Sequence, residues 1–378
     1  MDVFQGRSFA SDASAAVDEA CRDWALSDDT SLDIVFLFAS TAQDAAAAAK
    51  AAQAKFDGVP VVGCTTTGEN LAGTHSNGAL VMAALSTPNI QWSAVCLKNL
   101  SEVDDASVQA ATSTMFDALE VNREDFDPNR FFCLNFIDGL RLKEEKFCTL
   151  LTEALDGVAF VGGSAGDDLK FEETRVFFNG EAHTDAAILV LGKAESEAAF
   201  DILKHQHFTT TDRSFVITKC DPDTRKVIEI DGYPAVEAYA RAIGVTVDEL
   251  NGDVAFMNPV TLSVNNEIYV RSVQSINDDG SLTFYCAIEE GMVMEIGGHH
   301  DMTARLREDL VKDGERAKFM LTCNCILRAL EAKNGDIQTP VDEVLQDACE
   351  ASIGFDTYGE QLNGLHINQT LVALALHA

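Results

Sequence analysis

The residues of this 378-residue chain that could do chemistry gather in short glycine-rich stretches behind apolar runs. Arg328 follows the run Lys318–Cys325, in a chain with only 27 basic residues. A guanidinium there can hold a ligand carboxylate through two parallel hydrogen bonds. Cys325 stands beside it as a candidate pocket residue. Glu69, Glu360 and Asp168 are carboxylates that can accept a ligand ammonium. Thr66, Thr357 and Ser164 offer hydroxyls in the same stretches. Each has a second reading, because such side chains also cap and tie tight loops, and Arg328 can pair with one of the 61 acids. Both readings stay open.

Other constellations are thinner. Cys64 with His75 has the types of a nucleophile and its base, and Ser164 sits in Val161-Gly162-Gly163-Ser164-Ala165-Gly166-Asp167-Asp168 among acids. Neither has an identifiable third member, so a hydrolase-like or lyase-like enzyme stays a rival reading. The pairs His299-His300, His205 with His207, and Cys323 with Cys325 lack a third ligand at metal spacing. Haem needs one axial His or Cys, and eight histidines give no choice among them. There is no Walker A sequence and no G-x-G-x-x-G after a strand, so nucleotide binding has no support.

These stretches repeat. Gly63–Leu85 and Gly354–Leu376 align without a gap, and twelve of 23 positions are identical, giving G-x-x-T-x-G-E-x-L-x-G-x-H-x-N-x-x-L-V. Each copy follows an apolar strand and a helix and ends in an apolar strand. A looser third copy spans Phe131–Leu191. The elements that must position the motifs are therefore strand–helix–strand–loop–strand modules. Leu32–Ala39, Val59–Gly63, Arg130–Phe136 and Val158–Gly163 read as buried strands. Helices are expected at Ser11–Ala25, from an N-cap at Ser40 with Gln43 to Phe56, at Glu144–Leu155, at Ala235–Ile243, at Thr303–Val311, and at Val341–Cys349 with Thr339 capping and Pro340 first. Val260–Ile288 reads as a meander. The expected class is α+β: duplicated modules forming mixed sheets with helices on the outer faces. A four-layer αββα stack of two similar sheets is one such packing.

Composition narrows the partners. A formal charge of −34 repels phosphate backbones and anionic lipid, so neither nucleic acid nor membrane is expected as a partner. The N-terminal stretch lacks the pattern of a signal peptide, and every apolar run is strand-sized. Ten cysteines, mostly within apolar runs and without C-x-x-C, fit free thiols in a reducing cytoplasm.

Several segments in order resemble the FIST family. Val61-Val62-Gly63-Cys64-Thr65-Thr66-Thr67-Gly68-Glu69-Asn70 is similar to a FIST-N segment, as are the Ser164 stretch and Thr174–Leu191 after it. Glu229–Gly244 resembles the hand-over to FIST-C. Cys325 with Arg328 resembles the C-x-x-R of FIST-C, and Ile353–Gln361 with His366–Thr370 its closing motifs, with Ile367 as an extra residue. The resemblance covers about residues 30 to 370. It implies a FIST-N-like domain over 1–230, a FIST-C-like domain over 231–378, and a small-ligand-binding sensory role. Amino acids or related carboxylates are the implied ligands. A haem-based nitric-oxide sensor and a protein-interaction scaffold are the alternatives. Family members are often joined to an output domain, so a separate signalling output protein is the implied partner.

Overall fold

The computed structural model describes residues 1–27, 30–121, 126–264, 267–312 and 316–377. Those residues form two compact units. One comprises Met1–His205, Arg307–His366 and Leu371–Ala378; the other comprises Gln206–Leu306 and Ile367–Thr370.

The first unit contains the strand–helix–strand module three times. In module one, Ile34–Ala39 and Val61–Thr65 pair in parallel around the helix Ala45–Lys55. In module two, Phe131–Ile137 and Ala159–Ser164 enclose Glu144–Leu155. In module three, Ala317–Cys325 and Cys349–Thr357 enclose Ile326–Asn334 and Gln338–Ala348. A return strand then pairs antiparallel with the first strand of each module: Leu80–Ser86, Ala186–Ala194 and Leu371–Leu376. One more strand closes each sheet's far edge: Asp2–Ser8, Ile90–Lys98 and Phe200–His205.

The connection between second and return strands carries a hairpin, and that hairpin leaves home. Glu69–Leu71 of module one pairs with Cys349–Thr357 of module three. Glu360–Leu362 of module three pairs with Ala159–Ser164 of module two. Val176–Phe178 of module two pairs with Val61–Thr65 of module one. The exchange runs once round the three modules and completes three six-stranded sheets.

The expected class holds, with helices on outer faces, but the copy weakest by sequence is a full member. Three sheets therefore enclose the core in place of the two of an αββα stack. Phe38, Phe136 and Phe355, one from each sheet, meet with ring centroids 5.4, 5.9 and 4.6 Å apart. All three rings are sealed from solvent, at the spacing that aromatic pairs favour. Outside, Ala48, Ala49 and Ala52 let their helix lie close on sheet one, while Phe147, Cys148 and Leu151 pack on sheet two.

Local starts differ from the sequence reading. The first module's helix begins after Asp44, whose side chain accepts from the Ala47 amide at 3.0 Å. Ser40 is not its cap but donates to Asp168 at 3.1 Å. Gln338–Ala348 starts after Ile337, so Pro340 lies in the first turn rather than at its head.

The second unit is an eight-stranded antiparallel sheet with the helix Ala235–Ile243, around a core of Ile217, Tyr239, Leu282, Phe284 and Met294. The expected meander is instead two hairpins at opposite ends of that sheet, Val260–Val264 with Glu267–Arg271 and Val273–Ile276 with Leu282–Phe284, and residues 265–266 lie outside the described residues. No helix among the described residues is long and apolar enough to cross a membrane.

Candidate functional site

The repeated T-x-G-E motif serves the crossing of the hairpins. Thr66 Oγ1 donates to Glu69 Oε1 at 2.5 Å, and the Ala79 amide donates to Glu69 Oε2 at 2.9 Å. Thr357 Oγ1 donates to Glu360 Oε1 in the same way, and the Gly359 amide donates back to Thr357 Oγ1 at 3.2 Å. All four side chains are fully buried. Burial pushes the Glu69 carboxyl up to about 8, against the pull of the Thr66 and Ala79 hydrogen bonds. The glycine of the motif makes room for the hairpin histidine: a Cβ on Gly68 would stand 2.9 Å from His75 Nε2, and one on Gly359 would stand 2.7 Å from His366 Nε2. Ser164 accepts from Gln361 Nε2 at 2.9 Å and is also sealed from solvent.

Beside the first copy lies a cavity of about 500 Å³ to which all three modules contribute. Module one supplies Thr67, His75 and Asn77. Module two supplies Asp168 and Leu169. Module three supplies Asp356 and the face Ile326, Ala329, Leu330 and Lys333 of one helix, with Gln338 from the next. The helical residues recur at three- and four-residue spacing, which puts them on one face.

The polar wall is a chain. His75 Nε2 meets Asp356 Oδ2 at 2.7 Å, Asn324 Nδ2 donates to Asp356 Oδ1 at 2.7 Å, and Arg328 Nη1 donates to Asn324 Oδ1 at 2.5 Å. Burial alone would lower the His75 pKa, but the carboxylates of Asp356, Asp342 and Glu69 outweigh it and raise it above the ordinary value. Arg328 is buried, which lowers its pKa. Its Nε and Nη2 have no hydrogen-bond partner among the described residues.

Of the eight residues singled out by sequence, Asp168 lines the cavity. Arg328 stands behind its wall, two hydrogen-bonded residues from His75. Cys325 is the buried cap of the same helix. Thr66, Glu69, Thr357, Glu360 and Ser164 sit in the closed networks at the crossings. Thr67, His75, Asn77, Asp356, Lys333 and Gln338 line the cavity without having been singled out as ligand contacts. Two of them, His75 and Asn77, are repeat positions, and that repetition was the available signal. Asp356 and Lys333 come near His75 only because the hairpin crosses to another sheet.

The arrangement offers a carboxylate, an imidazole held by a carboxylate, an amide, a terminal ammonium and an aliphatic helix face. These groups can bind and orient a small amphoteric molecule. A comparison with curated proteins finds no match. A family model described as FIST N domain matches residues 33–233, and one described as FIST C domain matches residues 235–363. FIST domains are associated with sensory signal transduction and small-ligand binding. With both patterns present in order across nearly the whole chain, the protein belongs to the FIST family.

Proposed function

We propose that the protein is a sensory ligand-binding protein whose ligand is an amino acid or a related small carboxylate, held in the cavity shared by the three modules. The observation that carries this is the mixed lining: Asp168 for an ammonium, Lys333 and His75 for a carboxylate, and Ile326, Ala329, Leu330 and Leu169 for an aliphatic side chain. A cavity of about 500 Å³ falls within the usual range for small-molecule sites. Arg328 serves through Asn324, which it holds against Asp356. A separate signalling protein reads the occupied state.

The test is thermal denaturation of the purified protein with each common amino acid and its deaminated analogue. A ligand that binds only the folded state raises the midpoint, by about 2.7 kcal/mol of stability at a hundredfold excess over its Kd. The expected result is a saturable rise with an aliphatic amino acid, reduced in Asp168→Asn and in Lys333→Gln. A folded protein that responds to none of them would sink the reading.

A further inference from the structure

Module two departs from its sisters in the connection that follows its second strand. The strand registers make Thr65, Ser164 and Asp356 equivalent, and likewise Glu69, Val176 and Glu360. Glu69 comes four residues after Thr65 and Glu360 four after Asp356, whereas Val176 comes twelve after Ser164. The extra length is the loop 166–173, which brings Asp168 and Leu169 to a cavity otherwise built by the other two modules.

That loop is strained. Asp168, Leu169 and Phe171 have φ of 57°, 62° and 53°. Leucine and phenylalanine rarely adopt this left-handed region, because their Cβ crowds the backbone. What over-determines the conformation is a side chain of module three. Tyr358 Oη accepts from the amides of Asp167 (3.3 Å) and Leu169 (2.9 Å) and donates to Asp167 Oδ1. The buried Asp167 carboxylate in turn accepts from the amides of Phe171, Glu172 and Glu173 at 2.9, 2.7 and 3.0 Å. The Phe171 ring stacks on Tyr358 at 4.7 Å. On the other side, Asp168 Oδ2 accepts from Ser40 Oγ and the Thr41 amide at 3.1 and 3.0 Å, and from Thr41 Oγ1. One carboxylate of the loop is spent on the clasp; the next is presented to the cavity.

We propose that Tyr358 is a positioning residue: with Asp167 it clasps loop 166–173 in its strained form, and so aims the Asp168 carboxylate at the cavity as the site that recognises a ligand's ammonium group. The recognition half rests on the ligand-binding reading above; the clasp half does not.

The experiment compares the wild type with Tyr358→Phe, which keeps the ring and its stacking, and with Asp168→Asn. Amide hydrogen exchange reads the clasp. In Tyr358→Phe, the amides of Leu169 and Phe171–Glu173 should exchange at least about tenfold faster, the scale of one lost hydrogen bond to a charged group, while Ile34–Ala39 stays as protected as in the wild type. Calorimetry with three probes reads recognition: L-leucine, isopentylamine without the carboxylate, and 4-methylpentanoate without the amine. Both variants should bind the two amine-bearing probes about tenfold more weakly and 4-methylpentanoate as the wild type does. Asp168→Asn should leave exchange at Phe171–Glu173 unchanged. Unchanged exchange in Tyr358→Phe would overturn the clasp. Freed loop amides with full amine affinity would overturn the positioning role. A wild type that binds none of the three probes would remove the recognition half together with the proposed function, with exchange alone still deciding the clasp.

Discussion

At the scale of single residues, the buried ionisable groups make stability depend on pH in a definite direction. The Glu69 carboxyl is raised from 4.5 to about 8 by burial, so the stability it supports is complete below pH 4.5 and is lost as pH rises through about 8. His75 is raised above 6.5, so its contribution is present in full below that value and is also lost as pH rises. Asp167 moves the other way. Burial would raise it, but the hydrogen bonds from Tyr358 and the Glu172, Glu173 and Phe171 amides outweigh that and hold it down. Its contribution is present above 3.8 and lost as pH falls through the lowered value. Urea unfolding at pH 5, 7 and 9 checks the Glu69 effect. Glu69→Gln should be less stable than the wild type at pH 5, by about 1 kcal/mol for the acceptor it loses, and the gap should close or reverse by pH 9. An equal gap at all three values would mean that Glu69 keeps an ordinary pKa. Much of this network was legible as pattern, since Thr66, Glu69, His75 and Asn77 are all repeat positions. Which of them face a cavity was not, because that depends on Asp356 and Lys333, some 280 and 260 residues further on, arriving beside them.

At the scale of elements, three glycines explain the first letter of the repeat. A Cβ on Gly63, Gly162 or Gly354 would stand 1.7, 2.0 or 2.4 Å from the backbone oxygen of Leu37, Asn135 or Thr322 on the neighbouring parallel strand. Backbone cannot step aside as a side chain can, so alanine at any of the three should cost roughly 1–3 kcal/mol, read as a lower urea midpoint. The hairpins turn on Ala72-Gly73, Asn179-Gly180 and Asn363-Gly364, all at positive φ. Asparagine tolerates that region and exposed Ala72 does not, so Ala72→Asn should stabilise by about 0.5–1 kcal/mol. No gain in melting temperature would mean that the turn relaxes in solution. Strands and the strongly amphipathic helices were readable because a buried face imposes a period. The helix Ile326–Asn334, which carries Arg328, was not. It follows its strand without a break and is capped by Cys325, which makes no side-chain cap hydrogen bond, so no start signal was written. The second module was faint for a related reason. Val176, Ala182 and Thr184 stand where its first sister has Glu69, His75 and Asn77, and the longer loop breaks the alignment.

At the scale of the whole molecule, a formal charge of −34 opposes compactness through self-repulsion, since any folded form brings the acids closer together. Salt screens that repulsion over about 10 Å at 0.1 M and about 3 Å at 1 M, so the unfolding midpoint should climb as sodium chloride is raised from 0.05 to 1 M. A flat response would show that the surface charges are neutralised locally by their ion pairs. The exchange of hairpins has a consequence of another kind, for the chain as it is being made. Glu69–Leu71 finds its partner only when Cys349–Thr357 has been synthesised, some 280 residues later. At about 5–20 residues per second, that leaves the newborn hairpin without its neighbour for roughly 14–56 s. Sheet two likewise lacks its edge until Glu360–Leu362 emerges. No module can complete its sheet from its own residues, so a module cut out and expressed alone should seek two more copies of itself, closing as a ring of three chains the circle that this protein closes within one.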